Sequence, residues 1–468
     1  MRSRKRWIGA SLLALLAACS PQPAAPNIVI FVADDLGWGD VGFHGSEIET
    51  PRLDQLAREG LELSAHYVQP ICSPTRAALL TGRYPIRYGF QVGVVRPWST
   101  SGLPLSEVLL PERLADAGYA THMVGKWHLG AASSELLPTE RGFDSHYGQY
   151  TGLIDYWTHE RLGGLDWHRD AKPLREEGYA THLLRDEAVR IVREHDYEAP
   201  LFLYVPFSAP HFPLQAPAQH IERYASTIKD PKRRVYAAMV SCMDEAIGAT
   251  LDQLEQVGQR ENTLVLFLSD NGAYLAQAGS NGDLRGQKSD LYEGAIRAPT
   301  LISWPGRIAP GKVLDSPLHV TDWFPTLLQI ATHGQTRPTT EWEPKIDGVD
   351  LSAHLLDSSP LADRTILLNT QRKQGALRAG RWKLVAHHHL RTLADRENDA
   401  TFGVELYDLE ADPIEHTDRA ADRPELRDRL LEELMTFHEE RTEVPQDRGM
   451  EPENYVVPAI FGPKKPHD

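Results

Sequence analysis

Basic residues, cysteines and long apolar runs are all scarce in this chain of 468 residues. Its 49 Lys and Arg stand against 65 Asp and Glu, a formal net charge of −16, so it lacks the basic footprint that nucleic acid or anionic lipid requires of a partner. An anionic substrate must therefore be attracted by cations gathered locally. Three cysteines are too few for a disulfide framework and point to three separate fates. The apolar run Ile8 to Ala18 is too short to span a bilayer. No internal repeat stands out. What is present, 41% hydrophobic and 24% charged residues, excludes the disordered, collagenous and disulfide-scaffold classes and can bury a large core.

Arg2, Arg4, Lys5 and Arg6 precede the short apolar run, the pattern of an export signal that is removed and does not fold. Its end, Leu16-Ala17-Ala18-Cys19, resembles the bacterial lipoprotein box, in which the cysteine becomes the lipidated first residue; a plain secretory signal is the alternative. The Pro- and Ala-rich stretch after Cys19 reads as a stiff tether. The expected organisation is a signal over 1–18, a lipidated tether over 19–26, a catalytic domain over 27–359 and a C-terminal subdomain over 360–468. The mature protein is expected in the periplasm or at the cell surface, anchored through Cys19.

Asn27 to Ala33 is a continuous, β-branched apolar run, as expected of a strand buried on both faces in a parallel sheet. Gly118 to Val124, Leu201 to Phe207 and Leu264 to Leu268 repeat the pattern. Helical periodicities separate them over Pro51 to Glu59, Ser106 to Ala117, His182 to Glu194 and Val235 to Gln256. That alternation predicts a layered α/β sheet. From Thr365 onward the strands shorten, over Thr365 to Asn369, Ala376 to Arg378, Trp382 to Ala386 and Glu405 to Asp408. Leu426, Leu430, Leu431 and Leu434 then share one helical face within Pro424 to Glu440. These predict a small antiparallel sheet covered by a C-terminal helix.

Two predicted strands end in oxygen donors, Asp34-Asp35 after the first and Asp270-Asn271 after Leu264 to Ser269. The carboxyl ends of strands are where ligands bind in an open α/β sheet. Three carboxylates converging there would repel without a cation, and all-oxygen donors suit Ca²⁺ or Mg²⁺ rather than Zn²⁺. Asp35 and Asp270 as mere turn caps is the competing reading. In Cys72-Ser73-Pro74-Thr75-Arg76 the proline suits the first turn of a helix, placing Cys72 or Ser73 at an N-terminus that favours negative charge and activates a nucleophile. A small buried cysteine is the alternative at Cys72 and the reading adopted for Cys242.

Cys72 to Arg76 followed by Leu79-Leu80-Thr81-Gly82-Arg83 resembles the sulfatase signature, in which the cysteine is oxidised to formylglycine. Ala33 to Asp40, Gly125 to Gly130, Asp270 to Gly272 and Gly286 to Gly294 are sulfatase-like blocks in the family's order. Tyr156 to Glu160, Pro138 to Asp144 and Met239 to Ala246 look most like the N-acetylgalactosamine-4-sulfatase (arylsulfatase B) group and its bacterial relatives. The resemblance implies an alkaline-phosphatase-like fold, a large mixed sheet sandwiched by helices with a smaller C-terminal α+β subdomain. It implies one Ca²⁺ held by Asp34, Asp35, Asp270, Asn271 and the oxidised Cys72. Arg76 would hold the formylglycine hydrate, Lys126, Lys288 and His211 would grip the sulfate, and His128 would lie beside the hydrate. A solvated lysine or a satisfied loop histidine is the bland reading of each alone, but Lys126, His128 and His211 follow predicted strands and so belong at the same sheet edge as the metal.

A sulfate monoester is an anion, so a nucleophile approaching sulfur needs cations on the non-bridging oxygens. The resemblance implies that one hydroxyl of the hydrated aldehyde attacks sulfur, the alcohol leaves, and the other hydroxyl expels sulfate. His211 or Lys288 is the candidate general acid and His128 the candidate base. The implied partners are a sulfated sugar or aryl sulfate and, during maturation, a formylglycine-generating enzyme. The competing functions are a phosphate or phosphonate monoester hydrolase and a silent, anchored carbohydrate-binding lipoprotein. Asn271 argues against the two-zinc phosphatases, which present Asp-His at that strand end. His387-His388-His389 reads as a solvated strand end, not a metal tract. Trp38, Trp98, Tyr156, Trp157, His159 and Trp167 are candidates for a sugar platform or for core and rim.

Overall fold

The computed structural model describes residues 25–335, 344–371, 373–387 and 403–463. The expected signal, Cys19, all but the last two tether residues, and His388 and His389 lie outside the described residues. The fold centres on a ten-stranded sheet. Its spatial order is Lys312–Leu314, Leu61–Leu63, Thr300–Ser303, Thr263–Ser269, Asn27–Ala33, Leu201–Pro206, Ala120–Val124, Ser145–Gly148, His168–Arg169 and Lys172–Pro173. From Thr263–Ser269 to Ser145–Gly148 neighbouring strands run parallel. Thr300–Ser303 and His168–Arg169 join that block antiparallel on either side, which makes the sheet mixed.

The central strands are apolar throughout because both faces are covered. Ile28, Ile30 and Val32 of Asn27–Ala33 pack with helices Cys72–Thr81, Leu110–Asp116 and Trp323–Ala331. The alternating residues Val29, Phe31 and Ala33 pack against Pro51–Glu59, Ala180–Glu194 and Pro231–Gln256 on the other side. The four central strands fall where the apolar runs predict, with differences at their ends, and six further strands of the large sheet join them that no apolar run announced. The helix expected over 106–117 is Leu110–Asp116, because Pro111 sets its first turn and the Glu112 carboxylate accepts from the Leu109 N–H at 3.0 Å. The long helix starts at Pro231, four residues before the position read from periodicity, because Asp230 caps it by accepting from the Lys232 N–H at 2.9 Å.

Thr365–Thr370, Gln374–Ala379, Trp382–His387 and Gly403–Asp408 form the expected antiparallel sheet. One face, with Leu377, Leu384 and Leu406, packs on Leu430, Leu431 and Leu434 of helix Pro424–Glu439. The other face, with Ile366, Leu368 and Val385, packs on Tyr67, Leu291 and Ile296 of the larger unit. The small sheet therefore braces the segment that carries Lys288.

Candidate active site

Strand register assembles the site. Ala33 pairs with Ser269 in the parallel ladder, so Asp34-Asp35 and Asp270-Asn271 leave the sheet side by side. The ladder runs on past the strand ends: the Asp270 N–H donates to the Ala33 carbonyl at 2.9 Å, and the Lys126 N–H to that of Pro206 at 2.8 Å. Ser269 ties the two ends together, its hydroxyl donating to the Asn271 carbonyl at 2.8 Å and accepting from the Leu36 N–H at 3.1 Å. Two glycines allow the close approach. A Cβ on Gly125 would lie 2.0 Å from the Pro206 carbonyl oxygen, and one on Gly272 1.8 Å from that of Gly294. Because backbone cannot yield as a side-chain tip can, Gly272→Ala is expected to destabilise the protein by about 3 kcal/mol, read as a lower denaturant midpoint.

Cys72 opens helix Cys72–Thr81 and is buried at the meeting point of these segments. Its thiol donates to Asp34 Oδ1 at 3.4 Å and accepts from Lys288 Nζ at 3.3 Å. Each cation in turn has a carboxylate. Lys126 Nζ donates to Asp34 Oδ2 at 2.6 Å and Lys288 Nζ to Asp35 Oδ1 at 2.6 Å. One turn along the helix, the Arg76 guanidinium donates to Asp270 Oδ2 at 2.8 and 3.0 Å and to the Lys126 carbonyl at 3.1 Å. Asp35 and His128 adopt the left-handed backbone region, at φ 65° and 61°. Non-glycine residues rarely do so, and at functional sites this strain serves to aim the side chain.

The two histidines present one unsaturated nitrogen each. His128 Nε2 lies 3.1 Å from the Val95 carbonyl, which assigns its proton there and leaves buried Nδ1 without a partner. Burial, reinforced by Lys126 and Arg76, holds His128 well below the ordinary imidazole range, so it is neutral. His211 Nδ1 lies 2.7 Å from the Phe212 carbonyl, and Nε2 is 3.6 Å from Asp35 Oδ2. Burial, only partly offset by Asp35, pushes His211 down to about 3. Lys288 moves the other way: burial is the largest single influence and would lower it, but Asp35, Cys72, Asp34 and Asp270 together outweigh burial and hold the ammonium above the ordinary lysine range.

Cys72 departs from the expectation of an activated thiol. Burial first, then the Asp270 charge, push it well above the ordinary thiol range despite Lys126 and Lys288. A desolvated thiol is a poor nucleophile, so the helix N-terminus and the lysines do not suffice to activate sulfur here.

The donor set fits a divalent cation. Asp35 Oδ2 and Asn271 Oδ1 are buried with no hydrogen-bond partner, which native interiors rarely tolerate. Burial and then the Asp34 charge raise Asp270 to about 6, as unscreened neighbouring carboxylates should. Donor atoms of Asp34, Asp35, Cys72 and His211 all lie within 4.8 Å of one another. His211 thus stands among the potential ligands, whereas Asp270 Oδ2 is taken by Arg76 and only its Oδ1, 3.3 Å from the Asp35 N–H, faces that side.

All ten residues singled out from sequence meet in this one region. The aromatic set divides. Tyr156, His159 and Trp167 are buried, and the Tyr156 hydroxyl donates to the Ser208 and His211 carbonyls at 2.6 and 2.9 Å, bracing the His211 loop. Trp38 stacks on His44 under Arg297. That leaves half-buried Trp98 and exposed Trp157, whose rings meet Tyr455 and Tyr179. His387 lies at a strand end, 3.1 Å from the Tyr292 hydroxyl and 3.4 Å from Glu405. Sequence reading missed a buried support: Lys383 of the small sheet pairs with Glu293 at 2.9 Å and Glu415 at 2.7 Å, and the Glu415 carboxylate accepts from the Glu293 N–H at 2.7 Å. Glu293 closes the segment that carries Lys288. An isolated lysine in a predicted strand carries no sign of partners so far away in the chain.

The model of the family described as Sulfatase matches residues 26–333. Arylsulfatase J of Mus musculus is 36% identical over 472 residues, covering 90% of this chain and 76% of that protein. N-acetylgalactosamine-6-sulfatase of Rattus norvegicus is 37% identical over 399 residues, covering 80% and 73%. The crystal structure of Ps i-CgsB in complex with k-i-k-neocarrahexaose superposes with a TM-score of 0.79 at 30% identity, covering 90% of this chain and 95% of that one. The large mixed sheet with its small C-terminal sheet is thus the alkaline-phosphatase-like arrangement of the structures it resembles. With its fold, its converging cations and carboxylates and these matches all in agreement, the chain belongs to the sulfatase family and is a sulfuric ester hydrolase.

Proposed function

We propose that the protein removes sulfate from a sulfated carbohydrate, using formylglycine formed from Cys72 and one Ca²⁺ held by Asp34, Asp35, Asp270 and Asn271 with residue 72. The observation that carries this reading is the arrangement of Lys126, Lys288 and Arg76 around Cys72 beside the two unpartnered oxygens of Asp35 and Asn271. Ca²⁺ would add positive charge against the sulfate oxygens. Cys72 Sγ stands where one oxygen of the aldehyde hydrate would sit. That oxygen would attack sulfur while Lys126 and Lys288 screen the sulfate. The ester oxygen would leave with a proton, and the second hydroxyl would give its proton to His128 Nδ1 as sulfate is expelled. Loss of sulfate would restore the aldehyde, with water consumed overall.

Mass spectrometry of the peptide ending at Arg76, from protein matured with a formylglycine-generating enzyme, is expected to show an aldehyde at residue 72. A fully reduced thiol in active protein would overturn the mechanism. Turnover is expected on sulfate esters in preference to phosphate or phosphonate monoesters; the reverse preference would move the protein to that class. N-acetylgalactosamine sulfated at position 4, which the sequence blocks suggest, and at position 6, which the rat relative's name suggests, are the first sugars to compare.

His128→Asn keeps a residue that tolerates the left-handed backbone and is expected to lower kcat by about 10²- to 10⁴-fold while sulfated enzyme accumulates. Intact turnover without that species would remove His128 as base. Leaving-group dependence separates His211 from Lys288. The residue that protonates the leaving oxygen should matter far less for an activated aryl sulfate, whose phenolate leaves unprotonated, than for a sugar sulfate. Residues 27–359 would form the catalytic domain and 360–468 the subdomain, on a chain exported and anchored through lipid on Cys19. Cys19→Ala is expected to release it from the membrane fraction.

A further inference from the structure

A second group of metal-type donors lies on the opposite face of the sheet from the signature helix. It joins His182 on helix Ala180–Glu194, His220 on Ala218–Arg223 and Cys242 on Pro231–Gln256, with one donor atom from each within 4.8 Å of the others. We propose that His182, His220 and Cys242 form a Zn²⁺ site that fastens these three helices together. It is separate from the oxygen-rich centre at Asp34 and Asp35.

Three features support it. His220 is 4% exposed and its Nδ1 has no partner. Its other nitrogen, Nε2, lies 3.0 Å from Glu245 Oε2, and the second Glu245 oxygen accepts from Arg223 at 2.9 Å. A carboxylate on the far ring nitrogen fixes the tautomer that turns a lone pair inward, the usual support of a metal-bound imidazole. His182 Nε2 is likewise buried and unpartnered, and burial, with Arg185 and His220 adding, keeps that ring below the ordinary imidazole range and so neutral. Cys242 is a free, fully buried thiol. A lone cysteine here would be inert packing, as sequence reading had it. Two buried, unpartnered imidazole nitrogens in the same cluster change that.

Two nitrogens and one sulfur suit zinc rather than the hard cation of the catalytic centre. Tetrahedral Zn²⁺ places such donors about 3.4–3.6 Å apart, so closure needs movements on the order of 1 Å shared by three side chains. Binding displaces the Cys242 thiol proton to solvent. Three protein donors leave a fourth position for water, and half-exposed His182 gives a route of entry.

Co²⁺ is the probe, added to mature protein saturated with Ca²⁺. One equivalent is expected to bind with the charge-transfer band of a cobalt–thiolate bond. The band should persist in Cys72→Ser, vanish in Cys242→Ser and be displaced by Zn²⁺. Glu245→Gln, at a side chain 40% exposed, should weaken Co²⁺ binding by about 10- to 100-fold without disturbing the core. Zn²⁺ at a hundredfold excess over its dissociation constant should raise Tm by about 3 °C in the parent and not in Cys242→Ser. Absence of a thiolate band in the parent, or a band that survives Cys242→Ser or is lost with Cys72→Ser, would overturn the site.

Discussion

Replacing Cys72 by Ala is expected to abolish turnover of every sulfate ester, by a factor on the order of 10⁴ or more, while leaving the fold intact. The substitution removes one sulfur from a buried position and touches none of the ion pairs that hold the site. Lys126 keeps Asp34, Arg76 keeps Asp270, and Lys288 keeps Asp35. Stability should change by about 1 kcal/mol, so lost activity cannot be traced to unfolding. The thiol is also no substitute for the oxidised residue, since burial and Asp270 hold it protonated. Cys72→Ala protein that still turns over sugar sulfate would show that residue 72 is not the nucleophile. Equilibrium unfolding beside the turnover assay separates the two effects.

The largest stability loss is expected from Lys383→Met, remote from the reacting atoms. Lys383 is fully buried in the small sheet and balances two buried carboxylates, Glu293 and Glu415. Glu415 is already raised to about 7, by burial above all, even with Lys383 beside it. Removing the cation leaves Glu415 without its ion pair and Glu293 with the longer Arg297 contact at 3.8 Å, in a low-dielectric interior, at about 3–5 kcal/mol. That is a large share of the total stability of a folded domain. Any folded variant should show weaker sulfate ester turnover, because Glu293 ends the Gly286 to Gly294 segment that aims Lys288. Replacing Lys383, Glu293 and Glu415 together by apolar residues of similar volume should recover much of the stability, and failure to do so would show that the triad acts through something besides charge.

Most of the site is legible in chain order, residue chemistry and the resemblance to the sulfatase signature. Asp34, Asp35, Asp270 and Asn271 were found because each pair terminates an apolar run, and parallel strands bring their carboxyl ends to one edge. Lys126, His128 and His211 were singled out by the resemblance to sulfatase blocks, and the same rule places them at that edge. Helix ends were less legible: the Asp230-Pro231 cap moved one start, and Pro111 set another. The tyrosines and tryptophans could not be sorted, because a ring that braces a loop, as Tyr156 does, and a ring that meets a ligand have the same composition and spacing.

By itself the sequence determined the layered α/β class, the positions of the central strands and the family resemblance that singles out the candidate site residues. Those depend on local periodicity and on residue type. The tertiary structure alone decided which charges balance, and that in turn sets their protonation. It made Cys72 a protonated thiol, His128 a neutral imidazole with Nδ1 unpartnered, and His211 a neighbour of Asp35. It also set Lys383 under the Lys288 segment and gathered His182, His220 and Cys242 from three helices. Such contacts join residues with no shared local pattern, and their energies arise only when water is excluded from between them, a condition that exists once the chain has packed.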